Sequence, residues 1–249
     1  MALIAGLRFD DIEPFVGGSM REPKQRLGAL FEELGVPASY GHPTLFKIRE
    51  DLFALMANHQ YGVMCNDAEE ITAATIRGRQ EIHLQVAALR GSGGVWSEMR
   101  VVSTAAQIGI REGRRIHGRY EVSAKDLLEG ARFEDAVCRV TMGIDVHSTD
   151  PGKTNIVEAK PHRSQPYDIP LRALIARDID GLLLAGRCIS GDFMAHSSYR
   201  VTGNAVSMGQ AAGLCAARSV SSGCLPQNVP WGEVRDDLHV LNGLAPEVG

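Results

Sequence analysis

No stretch of this chain approaches the roughly 20 consecutive apolar residues that a helix needs to cross a bilayer. The opening Met1-Ala-Leu-Ile-Ala-Gly-Leu-Arg8 is apolar, but it is too short for a secretory core and has no basic residue before it. Membrane insertion and export are therefore not expected, and the expected location is the cytoplasm. The five cysteines, Cys65, Cys138, Cys188, Cys215 and Cys224, are scattered, and no pair has C-x-x-C spacing. That spacing excludes the common zinc and redox-dithiol frameworks, so no metal is expected. An odd count in a chain of this length also argues against a disulfide scaffold and for reduced thiols. A basic excess is missing too. The net charge is −4 and the isoelectric point is near 6.1, which gives no electrostatic case for nucleic acid. Short basic groups at 111–115 and 160–163 read as solvated faces or small-anion sites.

Nucleotide fingerprints are lacking as well. A dinucleotide-binding turn needs G-x-G-x-x-G after a strand. Gly91-Ser-Gly-Gly94 fails, because Trp96 occupies the third glycine position and the segment follows a helical pattern. Gly186 and Gly191 have P-loop spacing, but Asp192 stands where lysine is required. There are no internal repeats and no low-complexity tract.

What is present is an ordinary globular composition, 44% hydrophobic and 22% charged over 249 residues. That length suits one large domain or two small ones with a proper core. Leu27, Leu30, Phe31 and Leu34 form one apolar stripe and predict a short helix over 25–34. A longer helix is predicted over 67–90, opened by Asp67 with Glu70 as a capping box. Its inner face is Ile71, Ala74, Gly78, Ile82, Val86 and Leu89. A third helix is expected at 125–130. Residues 101–110 read as a strand in part, and 116–122 and 142–146 alternate as half-buried strands do. The run Gly181-Leu-Leu-Leu-Ala-Gly186 reads as a strand buried on both faces, as in a central parallel sheet. A small-residue helix follows over 204–220, where Gly209 and Gly213 leave room for close approach.

The region from 181 to 207 is the candidate site. A glycine at a strand end admits a bulky ligand, and the amides of a helix start favour an anion or an electron-rich carbonyl. Any helix packed on a sheet through small residues would give the same pattern.

Motifs in this region and upstream resemble the FAD-dependent oxidoreductase family. They are Gly181-Leu-Leu-Leu-Ala-Gly-Arg-Cys-Ile-Ser190, Ser198-Tyr-Arg-Val201 and Met208-Gly-Gln-Ala-Ala-Gly213. Upstream, in the same order as in the family, come Ile76-Arg-Gly-Arg79, Ala106-Gln-Ile-Gly-Ile-Arg-Glu112, Arg114-Arg-Ile116, Gly143-Ile-Asp-Val-His147 and Tyr167-Asp-Ile-Pro170. The resemblance covers about residues 40–220. It implies a mixed α/β fold, a partial FAD/NAD(P)-binding-type flavin domain with an inserted sheet-and-helix substrate domain. The expected organisation is an irregular segment at 1–45, the substrate or cap domain at 46–177, the flavin-domain element at 178–222 and a loosely packed tail at 223–249.

The resemblance also implies FAD as cofactor and hydride transfer with a small-molecule substrate. Flavin contacts map onto Gly186, Arg187, Cys188, Ile189 and Ser190, and onto Asn204, Ala205, Val206 and Ser207. Arg200 would face the flavin or an anionic substrate group, and Arg111, Glu112 and His147 would line the substrate side. On spacing alone, Arg111 and Glu112 read equally as a surface ion pair worth under about 1 kcal/mol. His147 reads equally as a strand-end histidine bonded to backbone, and Cys188 as a small core residue. The family's N-terminal fingerprint is absent. A second reading is therefore a truncated or split, non-catalytic module that needs a partner chain for the dinucleotide-binding half, or a homo-oligomer.

Overall fold

The structure, a computed structural model, describes residues 1–17, 20–146 and 164–243. The chain is mixed helix and strand. Residues 1–17 and 20–110 form one compact unit, and residues 111–146 and 164–243 another. No helix among the described residues is long and apolar enough to cross a membrane.

The first unit is built on a four-stranded antiparallel sheet. Its first strand, β1 (Ala2–Ala5), is followed by a single turn, α1 (Phe9–Ile12), and by α2 (Arg21–Glu33). The hairpin β2 (Thr44–Arg49) and β3 (Leu52–Met56) comes next, then α3 (Ala68–Ser92) and β4 (Arg100–Thr104). The sheet order is β2-β3-β1-β4, so β1 is an inner strand. Residues 1–45 are therefore not irregular. The four-residue run Ala-Leu-Ile-Ala is too short to declare itself in the sequence, and only its two sheet neighbours make it a strand. Ile4, Phe53, Leu55, Leu27, Phe31, Ile82 and Leu89 close the core beneath it.

The α3 helix follows its predicted stripe, with Ala74, Gly78, Ile82, Val86 and Leu89 buried. Asp67 caps it by accepting from the amides of Glu69 and Glu70, but Glu70 does not complete the box. Its carboxylate instead accepts from the Met64 amide at 2.6 Å. The helix ends at Gly93, whose φ of 76° a side chain would resist.

The second unit opens with residues 116–122, where Ile116, Gly118, Tyr120 and Val122 are inward and His117, Arg119 and Glu121 are exposed. The expected alternation holds, but pairing is limited to single bridges, Gly118 to Ala176 and Val122 to Gly191. Next come α4 (Ala124–Glu129) and a two-stranded antiparallel sheet of β5 (Ala136–Val140) and β6 (Tyr167–Pro170). Asp126, buried near the start of α4, accepts from the Ser123 amide and hydroxyl and from Tyr120 Oη. Burial and that bond to Asp126 push the Tyr120 hydroxyl up to about 12. Residues 142–146, expected to be a strand, are extended without pairing, and the strand lies just before them. Beyond β6 come a short helix, α5 (Phe193–Tyr199), a long one, α6 (Thr202–Ser222), and a last one, α7 (Trp231–Leu241).

Two further expectations fail here. The run 181–186 is not a strand of a parallel sheet. It folds back on 174–176 through one antiparallel bridge, Ile175 to Leu183, flanked by the bonds Leu184 N to Leu174 O and Ala176 N to Leu182 O. With a neighbour on one side only, Leu182 stays 37% exposed and Leu183 and Leu184 are half-buried. The chain after 223 is not a loose tail either. Val229 and Val234 enter the core, and Arg218 of α6 holds Asp237 of α7 through two bonds of 2.6 Å.

Glycine geometry gives a contrast that can be measured. At Gly6, φ is 82° and a Cβ would fall 1.8 Å from the Glu98 carbonyl oxygen. At Gly209, in α6, nothing lies within 4 Å of a Cβ. Gly6→Ala should destabilise the first unit by about 3 kcal/mol, whereas Gly209→Ala should be neutral or stabilise by up to about 1 kcal/mol. Urea unfolding in a Trp231→Phe background, where Trp96 alone fluoresces, reads the first effect. Loss of α6 ellipticity reads the second.

Candidate functional site

The predicted site residues lie in the second unit, around a short 3-10 turn, Gly186–Cys188, and the start of α6. Backbone bonds pin the turn on two sides. Ser190 N donates to Ala173 O at 3.0 Å, and on the other flank Ile116 N donates to Cys188 O and Val122 N to Ser190 O. Gly186 is buried at φ 71°, and a Cβ there would lie 3.3 Å from the Cβ of Ala205. The absence of a side chain lets the turn sit directly against the first turn of α6.

That helix starts without a side-chain cap, because its N-cap residue is Val201, which has no oxygen to offer. Thr202 and Gly203 are exposed, so the first-turn amides face solvent. Asn204 turns back and donates from Nδ2 to Tyr199 O at 3.3 Å. Of the other mapped positions, Ile189 and Ser190 are buried, Ala205 and Ser207 half-buried, and Arg187, Val206 and Cys188 exposed. Cys188 is thus not a core residue. The turn points it outward while Ile189 takes the inward position. Gly209 and Gly213, expected to admit a close neighbour, have none among the described residues.

Helix α5 links the turn to α6. Asp192 caps it by accepting from Ala195 N at 2.7 Å, and the same carboxylate accepts from Ala124 N at 2.6 Å. The ring of Tyr199 packs on Gly191, where a Cβ would meet it at 2.7 Å. Ser198 donates to Met142 O. Arg200, directly after α5, donates from Nη2 to Asp145 O at 2.6 Å, and Arg111 stands 3.7 Å from the Asp145 carboxylate. Arg111 and Arg200 therefore meet through Asp145. Burial and the nearby Arg111 guanidinium push the Arg200 guanidinium below its ordinary value, against Asp145 and Glu112. The anticipated Arg111–Glu112 pair does not form. Glu112 bonds Arg115 instead at 2.8 Å. His147 lies outside the described residues.

A model of the FAD dependent oxidoreductase family matches residues 21–238. The chain belongs to the FAD-dependent oxidoreductase family. No curated protein and no solved structure matches it. The family match runs through both compact units and takes in the turn, α5 and the start of α6.

Within this FAD-dependent oxidoreductase chain, two residues beside the mapped positions had no role in the sequence reading. His196 is fully buried in α5, its ring edge-on to Tyr199 at 5.5 Å, and neither ring nitrogen has a hydrogen-bond partner. Burial, with Arg115, Arg200 and Arg187 adding to it against Glu112, lowers its pKa to about 4. The second is Arg115, tied to Glu112 and close enough to act on that ring. Both occur in or beside motifs that carry the family resemblance, but spacing assigns them nothing. Only folding brings 111–116 onto the 186–190 turn.

The histidine makes a pH test with a fixed sign. An unfolded histidine titrates near 6.5, so between there and about 4 the unfolded chain binds more protons than the folded one. Stability should therefore fall as pH drops through that window. Relative to His196→Asn, the wild-type chain should lose on the order of 3 kcal/mol between pH 7 and pH 4, measured by urea unfolding at each pH. Parallel profiles would show that the imidazole is not held neutral.

Proposed function

We propose that this chain is the flavin-facing portion of an FAD-dependent oxidoreductase that exchanges a hydride between a small-molecule substrate and bound flavin. The single observation that carries this reading is the meeting of Gly186 with Ala205 beside the uncapped first turn of α6. A side-chain-free turn next to open amides suits the ring and ribityl end of a flavin. Gly186, Arg187, Cys188, Ile189 and Ser190 would border the ribityl chain, and Asn204, Ala205, Val206 and Ser207 the pyrimidine edge. The amides of this first turn stabilise negative charge placed against them without having to reorganise. Arg200, anchored on Asp145 O, orients a charged group from the other side, with Arg111 and His147 toward the substrate. Bound flavin supplies the two-electron acceptor itself.

The fit is one-ended. The ring end has its turn and its helix start, but the adenosine diphosphate end has no G-x-G-x-x-G turn in these 249 residues. On this reading, residues 178–222 are an element of the flavin domain, 46–177 carry the substrate side, and polypeptide outside this sequence or in a partner chain holds the adenosine. The half-covered Leu182, Leu183 and Leu184 favour that division, since a strand meant for a sheet interior has lost a neighbour. The five free cysteines fit a reducing, cytoplasmic setting.

The test is a titration of the purified chain with riboflavin and with FAD, followed by flavin fluorescence and visible absorbance. Riboflavin should bind, and FAD only a few-fold more tightly, because the contacts available are those of the ring end. Gly186→Ala, which combines a strained φ with a Cβ against Ala205, should weaken both about tenfold or more while leaving the circular dichroism spectrum unchanged. Binding of neither flavin, with the chain alone or with a dinucleotide-binding partner, sinks the reading.

A further inference from the structure

Two features at the end of α5 have no part in holding a flavin ring. The first is His196, with no exposed surface and no hydrogen bond to either ring nitrogen. Buried polar groups are almost always satisfied, and an imidazole can donate from one nitrogen while it accepts at the other. A side chain in this condition points to a partner supplied by a ligand. The second feature is the charge around it. Arg115, Arg187 and Arg200 all act on the ring, opposed by Glu112, and Arg111 joins them through Asp145.

The balance of that charge is uneven. Glu112 neutralises Arg115 and the Asp145 carboxylate faces Arg111. Arg200 spends its bond on a backbone carbonyl, and Arg187 is exposed with no ion pair among the described residues. Four guanidinium groups thus face two carboxylates, a formal surplus of +2, and the imidazole between them is uncharged. The missing counter-charge is an anion, and guanidinium groups bind planar or tetrahedral oxyanions through paired N–H donors.

We propose that this end of the second unit is an oxyanion site for the carboxylate or phosphate group of a small-molecule ligand, with Arg187 and Arg200 as its charged partners and His196 as its hydrogen-bonding partner. The site rests on the flavin reading only in taking that ligand to be the substrate, so anion and flavin binding are measured separately. An occupied site also changes the histidine. Charge brought by the anion offsets the arginines, and the imidazole accepts a proton more readily.

The experiment follows the imidazole resonances of the full chain by NMR through a pH titration, with His196→Asn identifying the signal. Succinate and inorganic phosphate are the probes, and chloride at equal ionic strength is the control. Either probe should bind saturably and raise the pH at which His196 titrates by one unit or more. Chloride should not. An effect of succinate alone identifies a carboxylate ligand, and of phosphate alone a phosphorylated one. Arg187→Gln, at an exposed position where folding is not at risk, should weaken the probe about tenfold by calorimetry, as should Arg200→Gln. A His196 titration that neither probe moves, or probe affinity unchanged in Arg187→Gln, overturns the proposal. Riboflavin titrated into the same samples separates the two readings. Riboflavin binding without an anion effect leaves the flavin reading standing alone, and an anion effect without riboflavin binding does the reverse.

Discussion

Gly186 must do two things at once, and only glycine can do both. It carries φ 71°, which L side chains resist, and it presents a bare Cα to Ala205. The turn it opens is then stitched to Ala173 on one flank and to 116–122 on the other. Those bonds decide where α5 leaves the turn, and the packing of Tyr199 on Gly191 decides how close α5 lies. The position of Arg200, the burial of His196 and the exposure of the α6 amides all follow from one side-chain-free residue and its immediate hydrogen bonds.

Electrostatics add a second constraint on the same few residues. A buried imidazole among arginines stays uncharged because both burial and its neighbours oppose the proton. The arginines in turn find few carboxylates. Arg200 is held by a carbonyl oxygen of Asp145, which satisfies a donor but cancels no charge. The result is a region that is rigid through its backbone bonds and unbalanced in its charge. Sites that bind anions have this combination more often than structural ion-pair networks do.

Much of the helical framework was legible in the sequence because helices declare themselves locally. Asp67 and the stripe from Ala74 to Leu89 define α3, and Ser123 with Asp126 defines α4. Strands were less legible because pairing partners are distant. Ala2–Ala5 becomes an inner strand only through β3 and β4, and 181–186 looks like a central strand by its apolar run yet finds a single bridge. The last helix escaped notice because prolines and polar residues mask it, and its anchor on α6, Arg218, is distant in sequence from Asp237. At the candidate site, glycine spacing singled out the turn and the helix start. His196 and Arg115 could not be found that way, since what distinguishes them is burial and proximity rather than pattern.

The clamp between Arg218 and Asp237 has a bearing on how this protein can change over evolutionary time. Helix α6 spans 21 residues, about 30 Å, with Ala205 committed to Gly186 near one end and Arg218 committed to α7 near the other. Each residue of an α-helix advances the azimuth by about 100°. Inserting or deleting a single residue between those two anchors would swing one of them to the opposite side of the helix axis. Drift in this segment is therefore confined to replacement of side chains, with the number of residues between 205 and 218 held constant as a phase relation.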